Sequence, residues 1–203
     1  MPYFYKSDEI NMLFIHIPKT GGTSIEQYLS YKYKISLNQS SLFSYGYHPP
    51  DIVPLQHYTY NNIVTNSNIV LIDGYETFTI VRNPYHRIVS DLFYLGLAHT
   101  EFTKEDIYET IKEYYIIDAP HNHSKPQWEF IYDVSNNCLY DHIYVLKIEN
   151  LNEEIKALGY KDFDIHINRG PIENHMSYLN KESILLINEV YSKDFELFGY
   201  EML

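Results

Sequence analysis

The stretch at residues 15–24, IHIPKTGGTS, decides the fold of this chain of 203 residues. It overlaps an apolar run at residues 12–17 that predicts a buried strand, and it precedes residues 25–29, IEQYL, which predict the opening of a helix. A strand, a glycine-bearing turn and a helix together make a favourable anion site. The free N–H groups and the dipole of the helix N-terminus attract negative charge there.

The composition of this turn adds donors and a full charge to the backbone groups. Gly21 and Gly22 allow a tight turn and a close approach of the anion, Lys19 brings a positive charge, and hydroxyl donors are present at Thr20, Thr23 and Ser24. In the common triphosphate-binding loop, G-x-x-x-x-G-K-[ST], the lysine follows the last glycine. Lys19 precedes both glycines, so the spacing disfavours an ATPase or a kinase.

A second strand–helix turn carries another candidate anion site. Residues 77–81, TFTIV, predict a strand that runs into Arg82, and Pro84 suits the first turn of the helix that follows. Arg82 and Ser90 are eight residues apart, which lets both face one anion. Arg87 is interpreted as a solvated charge on this helix. Two anion sites on two such turns match a donor with phosphates at both ends.

These motifs resemble those of sulfotransferases that use 3′-phosphoadenosine-5′-phosphosulfate, especially the carbohydrate and Golgi-type branch. Residues 18–24 resemble their 5′-phosphosulfate loop, and the Arg82–Ser90 pair resembles their 3′-phosphate motif. Three later stretches give supporting similarity, so that the resemblance spans residues 12–200: KPQWEFI at 125–131, IENL at 148–151 and INEVYSKDFELFGY at 187–200.

The resemblance implies a three-layer α/β fold of the P-loop nucleotide-hydrolase-like type, with a central parallel sheet and helices on both faces. We expect one domain over residues 1–203, with a long loop excursion at about 36–68 over the active site. The patterns predict strands near 12–17, 68–72, 77–81 and 143–147, and helices near 23–33, 84–96, 104–115, 151–158 and 181–197.

The resemblance also implies the reaction: direct in-line transfer of a sulfuryl group to a hydroxyl of a carbohydrate or small molecule, without a metal. Lys19 would stabilise the oxygen that leaves with the nucleotide, adenosine 3′,5′-bisphosphate. The donor-binding residues would be Lys19, Thr20, Gly21, Gly22, Thr23, Ser24, Arg82 and Ser90.

The acceptor hydroxyl needs a base, and histidine suits this because its pKa is near neutral. Of ten histidines, His57 is the first candidate, since its segment resembles the one that carries the base in related carbohydrate enzymes. His16 is expected in the core, and His48 is a substitute base. His121 and His123 are interpreted as a loop pair rather than metal ligands, because no carboxylate or cysteine accompanies them at ligand spacing.

Charge and cysteine content limit partners and location. The net charge of −12 argues against nucleic acid and favours a neutral or weakly charged acceptor, such as a sugar or a small metabolite. The single cysteine, Cys138, is expected to be a small buried residue and suits a reducing compartment. No signal peptide or membrane span is visible, which predicts a cytoplasmic enzyme of a bacterium or a virus-infected cell. The oligomeric state stays open.

Two other classes remain as alternatives. An ATP- and magnesium-dependent small-molecule kinase would need a metal-binding aspartate, for which Asp73 is the candidate. A non-catalytic nucleotide-binding relative would keep the fold without turnover. A magnesium requirement identifies the first, and absence of transfer identifies the second.

Overall fold

The computed structural model describes residues 2–44, 52–164 and 174–203. His48 therefore lies outside the described residues. The main sheet has four strands in the order β1-β2-β3-β6, namely β1 Tyr3–Lys6, β2 Ile10–Ile15, β3 Glu76–Val81 and β6 Ile143–Lys147. A separate two-stranded hairpin is formed by β4 Tyr132–Asp133 and β5 Cys138–Leu139. The helices are α1 Gly22–Tyr33, α2 Tyr60–Val64, α3 Pro84–Tyr94, α4 Lys104–Thr110, α5 Ile116–Asp118, α6 Leu151–Ala157, α7 Lys181–Val190 and α8 Ser192–Phe198.

Strands β2, β3 and β6 are parallel to one another, as the sequence predicts. Strand β3 pairs with β2 on one side and with β6 on the other, in the same direction. The edge strand β1 is antiparallel to β2, so the sheet is mixed rather than wholly parallel. Because β1 comes directly before β2, across a short hairpin turn at residues 7–9, local pairing fills the free side of β2.

The predicted strand at 68–72 is wrong, because this segment does not join the sheet. Both sides of β2 are already paired, so the segment cannot add to that strand, and it pairs with neither edge strand, β1 or β6. It is held by side chains instead: Asn11 Nδ2 donates to the carbonyls of Ile72 and Asp73, both at 3.1 Å, and the Ile72 N–H donates to the Tyr3 hydroxyl at 3.0 Å. Asp73 therefore lies near the amino end of β2.

Helices cover both faces of the sheet, which confirms the predicted three-layer α/β architecture. Alternate residues of β2 separate into two cores, with Met12 and Phe14 against α1 and α6, and Leu13 and Ile15 against α2 and α8. A third apolar cluster joins α3, α4, α7 and α8 beyond the sheet. Burial on both faces explains why residues 12–15 of β2 are continuously apolar.

The predicted helices are found at the predicted positions, but two of them are interrupted. The helix predicted at 104–115 is α4 followed by a π-helical turn, Ile111–Tyr115, before α5. The helix predicted at 181–197 is broken at Tyr191 into α7 and α8. Cys138 is exposed in β5, so the expectation that it is buried is wrong. The segment at 36–68 carries short helices at Gln39–Ser41 and Leu55–His57 before α2.

Candidate active site

The candidate site lies where the three parallel strands end. Residues 16–22 follow β2, Arg82 follows β3, and residues 148–149 follow β6. Because β2, β3 and β6 are parallel, their carboxyl ends meet at one edge of the sheet, where ligands of open α/β sheets bind. Asp73, the metal candidate of the kinase alternative, lies at the opposite edge beside Asn11.

The turn after β2 has the backbone geometry that its glycines predict. Gly21 has φ +86° and is the N-cap of α1, whose first residue is Gly22. The second glycine serves a different purpose, because a Cβ on Gly22 would lie 2.6 Å from the ring of His16. The turn thus needs Gly21 for its left-handed φ and Gly22 for space.

Lys19 is held in the turn by both backbone and side chain. Its φ is +66°, in the left-handed region that is unfavourable for a residue with a Cβ. Its Nζ lies 3.8 Å from the centre of the Tyr94 ring, a cation–π contact. Burial lowers the pKa of Lys19, an effect that Asp91 opposes and Arg82 reinforces. The ammonium is therefore partly desolvated, which strengthens its interaction with an anion.

The hydroxyl residues of the turn differ in what they offer. Thr20 is fully buried and its hydroxyl donates to the Ile17 carbonyl at 2.9 Å, so its side chain fixes the turn. Thr23 is half-buried and Ser24 is buried in the first turn of α1. The backbone N–H groups of this helical turn remain the main donors that the motif supplies to an anion.

Arg82 brings the two candidate anion motifs into contact. Its Nη1 donates to the Lys19 carbonyl at 3.2 Å, and its Nη2 lies 3.3 Å from His175 Nε2. A guanidinium can only donate, so His175 Nε2 is the acceptor and its ring is neutral. Burial, with further contributions from Arg82 and His86, lowers the pKa of His175 to about 4.

Gln127 fixes the backbone of Arg82. Its Oε1 accepts the Arg82 N–H and its Nε2 donates to the Arg82 carbonyl, both at 2.8 Å. Asp194 in turn accepts the backbone N–H groups of Gln127 at 2.9 Å and Trp128 at 2.8 Å. The stretches at 125–131 and 187–200, which the sequence marked only by resemblance, therefore hold the arginine in place.

The third supporting stretch, at 148–151, contacts the same turn. Glu149 Oε1 accepts the Asn83 N–H at 2.9 Å, and Glu149 Oε2 accepts the Tyr200 hydroxyl at 2.9 Å. Asn83 caps α3, with its side chain accepting the Tyr85 N–H at 3.0 Å. All three later motifs thus stabilise the short connection between β3 and α3.

Ser90 and Arg87 lie on α3 in different surroundings. Ser90 is half-buried, and no hydrogen bond of its hydroxyl is seen within residues 2–44, 52–164 and 174–203. Arg87 is only 1% exposed, so its interpretation as a solvated charge is wrong. Its Nε donates to the Pro18 carbonyl at 3.0 Å and its Nη2 to the His123 carbonyl at 2.6 Å. Arg87 joins the turn after β2 to the loop that carries His123.

Three buried histidines line this region. His57 lies between His16 and His123, with ring centroids 5.5 and 5.0 Å away. His57 Nδ1 lies 3.1 Å from the His121 carbonyl, which can only accept. Nδ1 therefore carries the proton and Nε2 the lone pair. Burial lowers the pKa of His57 well below its usual value, and His123 and His16 lower it further.

His16 and His123 each face a buried carboxylate. His16 Nδ1 lies 2.5 Å from Glu26 Oε1, and His123 Nδ1 lies 2.7 Å from Asp91 Oδ1. The burial of His16 agrees with its expected place in the core. The sequence analysis did not identify Asp91 and Tyr94 as site residues. The signal that was available is that Tyr94 lies four residues after Ser90, one helical turn further along α3. Within the described residues, no group of three or more metal-ligating side chains could hold a metal ion.

Fold and site together define an α/β protein that gathers a helix N-terminus, a lysine and an arginine at the carboxyl edge of its sheet. A family model described as the sulfotransferase family matches residues 2–201, so the chain belongs to that family. Membership supports sulfuryl transfer as the general activity. Neither the search of curated proteins nor that of solved structures found a match. Among the described helices, none combines the length and the apolar character needed to cross a bilayer.

Proposed function

We propose that this chain transfers a sulfuryl group from 3′-phosphoadenosine-5′-phosphosulfate to a hydroxyl of a carbohydrate or small-molecule acceptor. The observation that carries this proposal is the contact between the two anion motifs, Arg82 Nη1 to the Lys19 carbonyl at 3.2 Å. A donor with phosphates at both ends needs two cationic sites that are close enough for one nucleotide to reach both. Residues 19–24 supply one of them, and Arg82 with Ser90 supplies the other.

The proposed roles follow from the charges of the site. The N–H groups of residues 20–24 bind the 5′-phosphate, and Arg82 with Ser90 binds the 3′-phosphate. Lys19 stabilises the negative charge on the oxygen that leaves with the nucleotide. Fixed positive groups thus take the place that magnesium has in phosphoryl transfer.

The acceptor hydroxyl loses its proton as its oxygen attacks sulfur. His57, the base proposed from the sequence, meets the first requirement, because its lowered pKa keeps it neutral at pH 7 and its Nε2 bears the lone pair. A net charge of −12 favours a neutral or weakly charged acceptor over a polyanion or nucleic acid.

The proposal is tested by calorimetric titration with adenosine 3′,5′-bisphosphate, adenosine 5′-monophosphate and ATP, with and without magnesium. We expect preference for the bisphosphate without magnesium. Arg82→Ala should lower bisphosphate affinity by about tenfold or more and leave the monophosphate nearly unchanged, since a charged hydrogen bond contributes about 1.5–3 kcal/mol. Tighter binding of ATP with magnesium would overturn the proposal in favour of a kinase.

A further inference from the structure

His123 lies close to the lysine of the proposed reaction. Its ring stacks on Tyr94, with centroids 5.7 Å apart and planes 7° from parallel. Tyr94 in turn lies under Lys19, whose Nζ is 3.8 Å from the ring centre. One aromatic ring therefore links His123 to Lys19, whereas among the ring contacts of the described residues His57 reaches Tyr94 through His123. His123 is 5% exposed, which removes it from bulk water.

Both ends of His123 are fixed. Asp91, fully buried on α3, accepts from Nδ1 through Oδ1 at 2.7 Å. The hydroxyl of Tyr115 donates to Asp91 Oδ2 at 2.9 Å and also lies 3.0 Å from the His123 carbonyl. Arg87 donates to that same carbonyl at 2.6 Å. These contacts hold both the imidazole ring and the backbone of His123 in place.

The carboxylate determines which nitrogen of His123 carries the lone pair. An ionised carboxylate accepts only, so Nδ1–H faces Asp91 and Nε2 is left unprotonated. In the described part of the chain, no side chain or backbone group hydrogen-bonds to Nε2 of His123. Nδ1 held by a carboxylate and a free Nε2 is the arrangement by which a histidine accepts a proton in acyl transfer.

His123 has a partner that His57 lacks. The Nδ1 of His57 faces a neutral backbone carbonyl at 3.1 Å, and its nearest rings are two more histidines. When an imidazole takes up a proton, an adjacent carboxylate stabilises the new positive charge more than a carbonyl does. Asp91 is placed to do this for His123.

We infer that His123, oriented by Asp91, and not its neighbour His57, takes the proton of the acceptor hydroxyl. The inference rests on the proposed sulfuryl transfer. In that step the bond between the acceptor oxygen and sulfur forms, and the bond between sulfur and the nucleotide oxygen breaks. The hydroxyl proton moves to Nε2 of His123, giving an imidazolium paired with Asp91, and the nucleotide leaves as an anion beside Lys19. Atoms and charge balance without any further reactant.

The test compares His123→Asn, Asp91→Asn and His57→Asn, with His142→Asn as the matched control. His142 is half-exposed and outside the site, where its Nε2 contacts the Tyr60 hydroxyl at 3.0 Å. Turnover is measured with 3′-phosphoadenosine-5′-phosphosulfate and a panel of mono- and disaccharides and a phenol, and in water alone as slow hydrolysis of the donor. We expect His123→Asn to lower kcat about 100-fold, the lower end of general-base contributions, and Asp91→Asn to lower it about tenfold.

A structural role and a catalytic role differ in two further readouts. For a base, the affinity for adenosine 3′,5′-bisphosphate stays within about threefold of wild type while kcat falls. Nitrogen-15 NMR of the imidazoles should show the Nδ1–H form of His123 in the wild type and a loss of that preference in Asp91→Asn. Asp91→Asn keeps the side-chain volume, so it decides the matter if His123→Asn does not fold.

The outcomes separate the inference from the function on which it rests. If His123→Asn and Asp91→Asn keep turnover within threefold of wild type while His57→Asn is inactive, the inference is overturned. The proposed function then still stands. A wild-type chain that neither binds the bisphosphate nor consumes the donor overturns both. Loss of kcat in both variants with unchanged bisphosphate affinity supports the inference.

Discussion

The side-chain amide of Gln127 pairs with both backbone polar atoms of Arg82, at 2.8 Å in each direction. Arg82 follows the last residue of β3, where its N–H and carbonyl would otherwise need a neighbouring strand. The amide takes that place without adding backbone, which leaves the guanidinium free to face the turn after β2. The orientation of the main cation of the site therefore depends on a residue 45 positions away.

Removing this amide should impair donor binding and stability together. In Gln127→Ala the N–H and the carbonyl of Arg82 lose their partners, which costs about 1–3 kcal/mol for each buried group that stays unpaired. We expect a lower thermal midpoint and weaker binding of adenosine 3′,5′-bisphosphate. Gln39→Ala, at an exposed position, is the control. Unchanged affinity in Gln127→Ala would show that Arg82 holds its orientation without the amide.

Lys19→Ala should abolish most turnover while bisphosphate binding persists. Loss of one electrostatic group at a developing anion costs about 10²–10³ in rate. Lys34→Ala, an exposed lysine beyond the end of α1, should behave as wild type. Wild-type turnover in Lys19→Ala would contradict the proposed role at the leaving oxygen.

The pH dependence of turnover should carry the signature of the buried Lys19. Burial lowers its pKa, so the ammonium loses its proton at a lower pH than an exposed lysine does. Activity therefore falls on the alkaline side, with the midpoint below the usual lysine value of about 10.4. The pH profile of kcat/KM for the donor tests this, because kcat/KM reports the pKa values of the free enzyme. A midpoint at or above the usual lysine value would mean that another group limits the rate.

Binding of the bisphosphate should take up protons. His175 is neutral near pH 7 because burial, Arg82 and His86 lower its pKa to about 4, and burial also lowers the pKa of His86. A phosphate at Arg82 brings negative charge that favours the protonated forms, so affinity should rise as the pH falls from neutral toward about 4, the pKa of His175 before the phosphate binds.

Calorimetry in two buffers of different ionisation enthalpy measures this proton uptake. His175→Asn should reduce it, and His99→Asn, a histidine outside the site, should not. Equal proton uptake in His175→Asn and the wild type would show that the 3′-phosphate does not bind beside His175.

Arg87→Met should destabilise the fold strongly for a single substitution. The side chain is 1% exposed and bonds the carbonyls of Pro18 and His123. The Pro18 carbonyl loses this partner, which costs about 1–3 kcal/mol, while the His123 carbonyl keeps the hydroxyl of Tyr115 at 3.0 Å. Urea denaturation measures the loss, with the exposed Lys112→Met as the control. A change below about 0.5 kcal/mol, typical of surface positions, would show that other groups replace these bonds.

The sequence predicted what local patterns encode. A strand, a glycine turn and a helix lie within about twenty residues, so the turn at residues 15–24 and the connection after β3 were both recognisable. The antiparallel strand β1 was not recognised, because its four residues are too few to show a strand pattern. The strand predicted at 68–72 was wrong because its pattern suits a strand, whereas hydrogen bonds to the side chains of Asn11 and Tyr3 hold this segment outside the sheet.

The remainder of the candidate site depends on distant contacts that no local pattern shows. Asp194 lies 67 residues from Gln127, and Asp91 lies 32 residues from His123. Arg87 was interpreted as a surface charge because a helix pattern does not show which carbonyls will surround a side chain. Resemblance indicated that the late stretches matter, and the contacts explain why.

The imidazole of His16 fills the space that a side chain at position 22 would need, because a Cβ on Gly22 would lie 2.6 Å from the ring. Substitutions in this turn can therefore be accepted only in a particular order. A larger residue at position 22 becomes tolerable only after the ring at position 16 has shrunk, and that change leaves Glu26 as a buried acid without its partner at 2.5 Å. Positions 16, 22 and 26 are therefore coupled, and no single substitution at one of them leads directly to a different form of the turn.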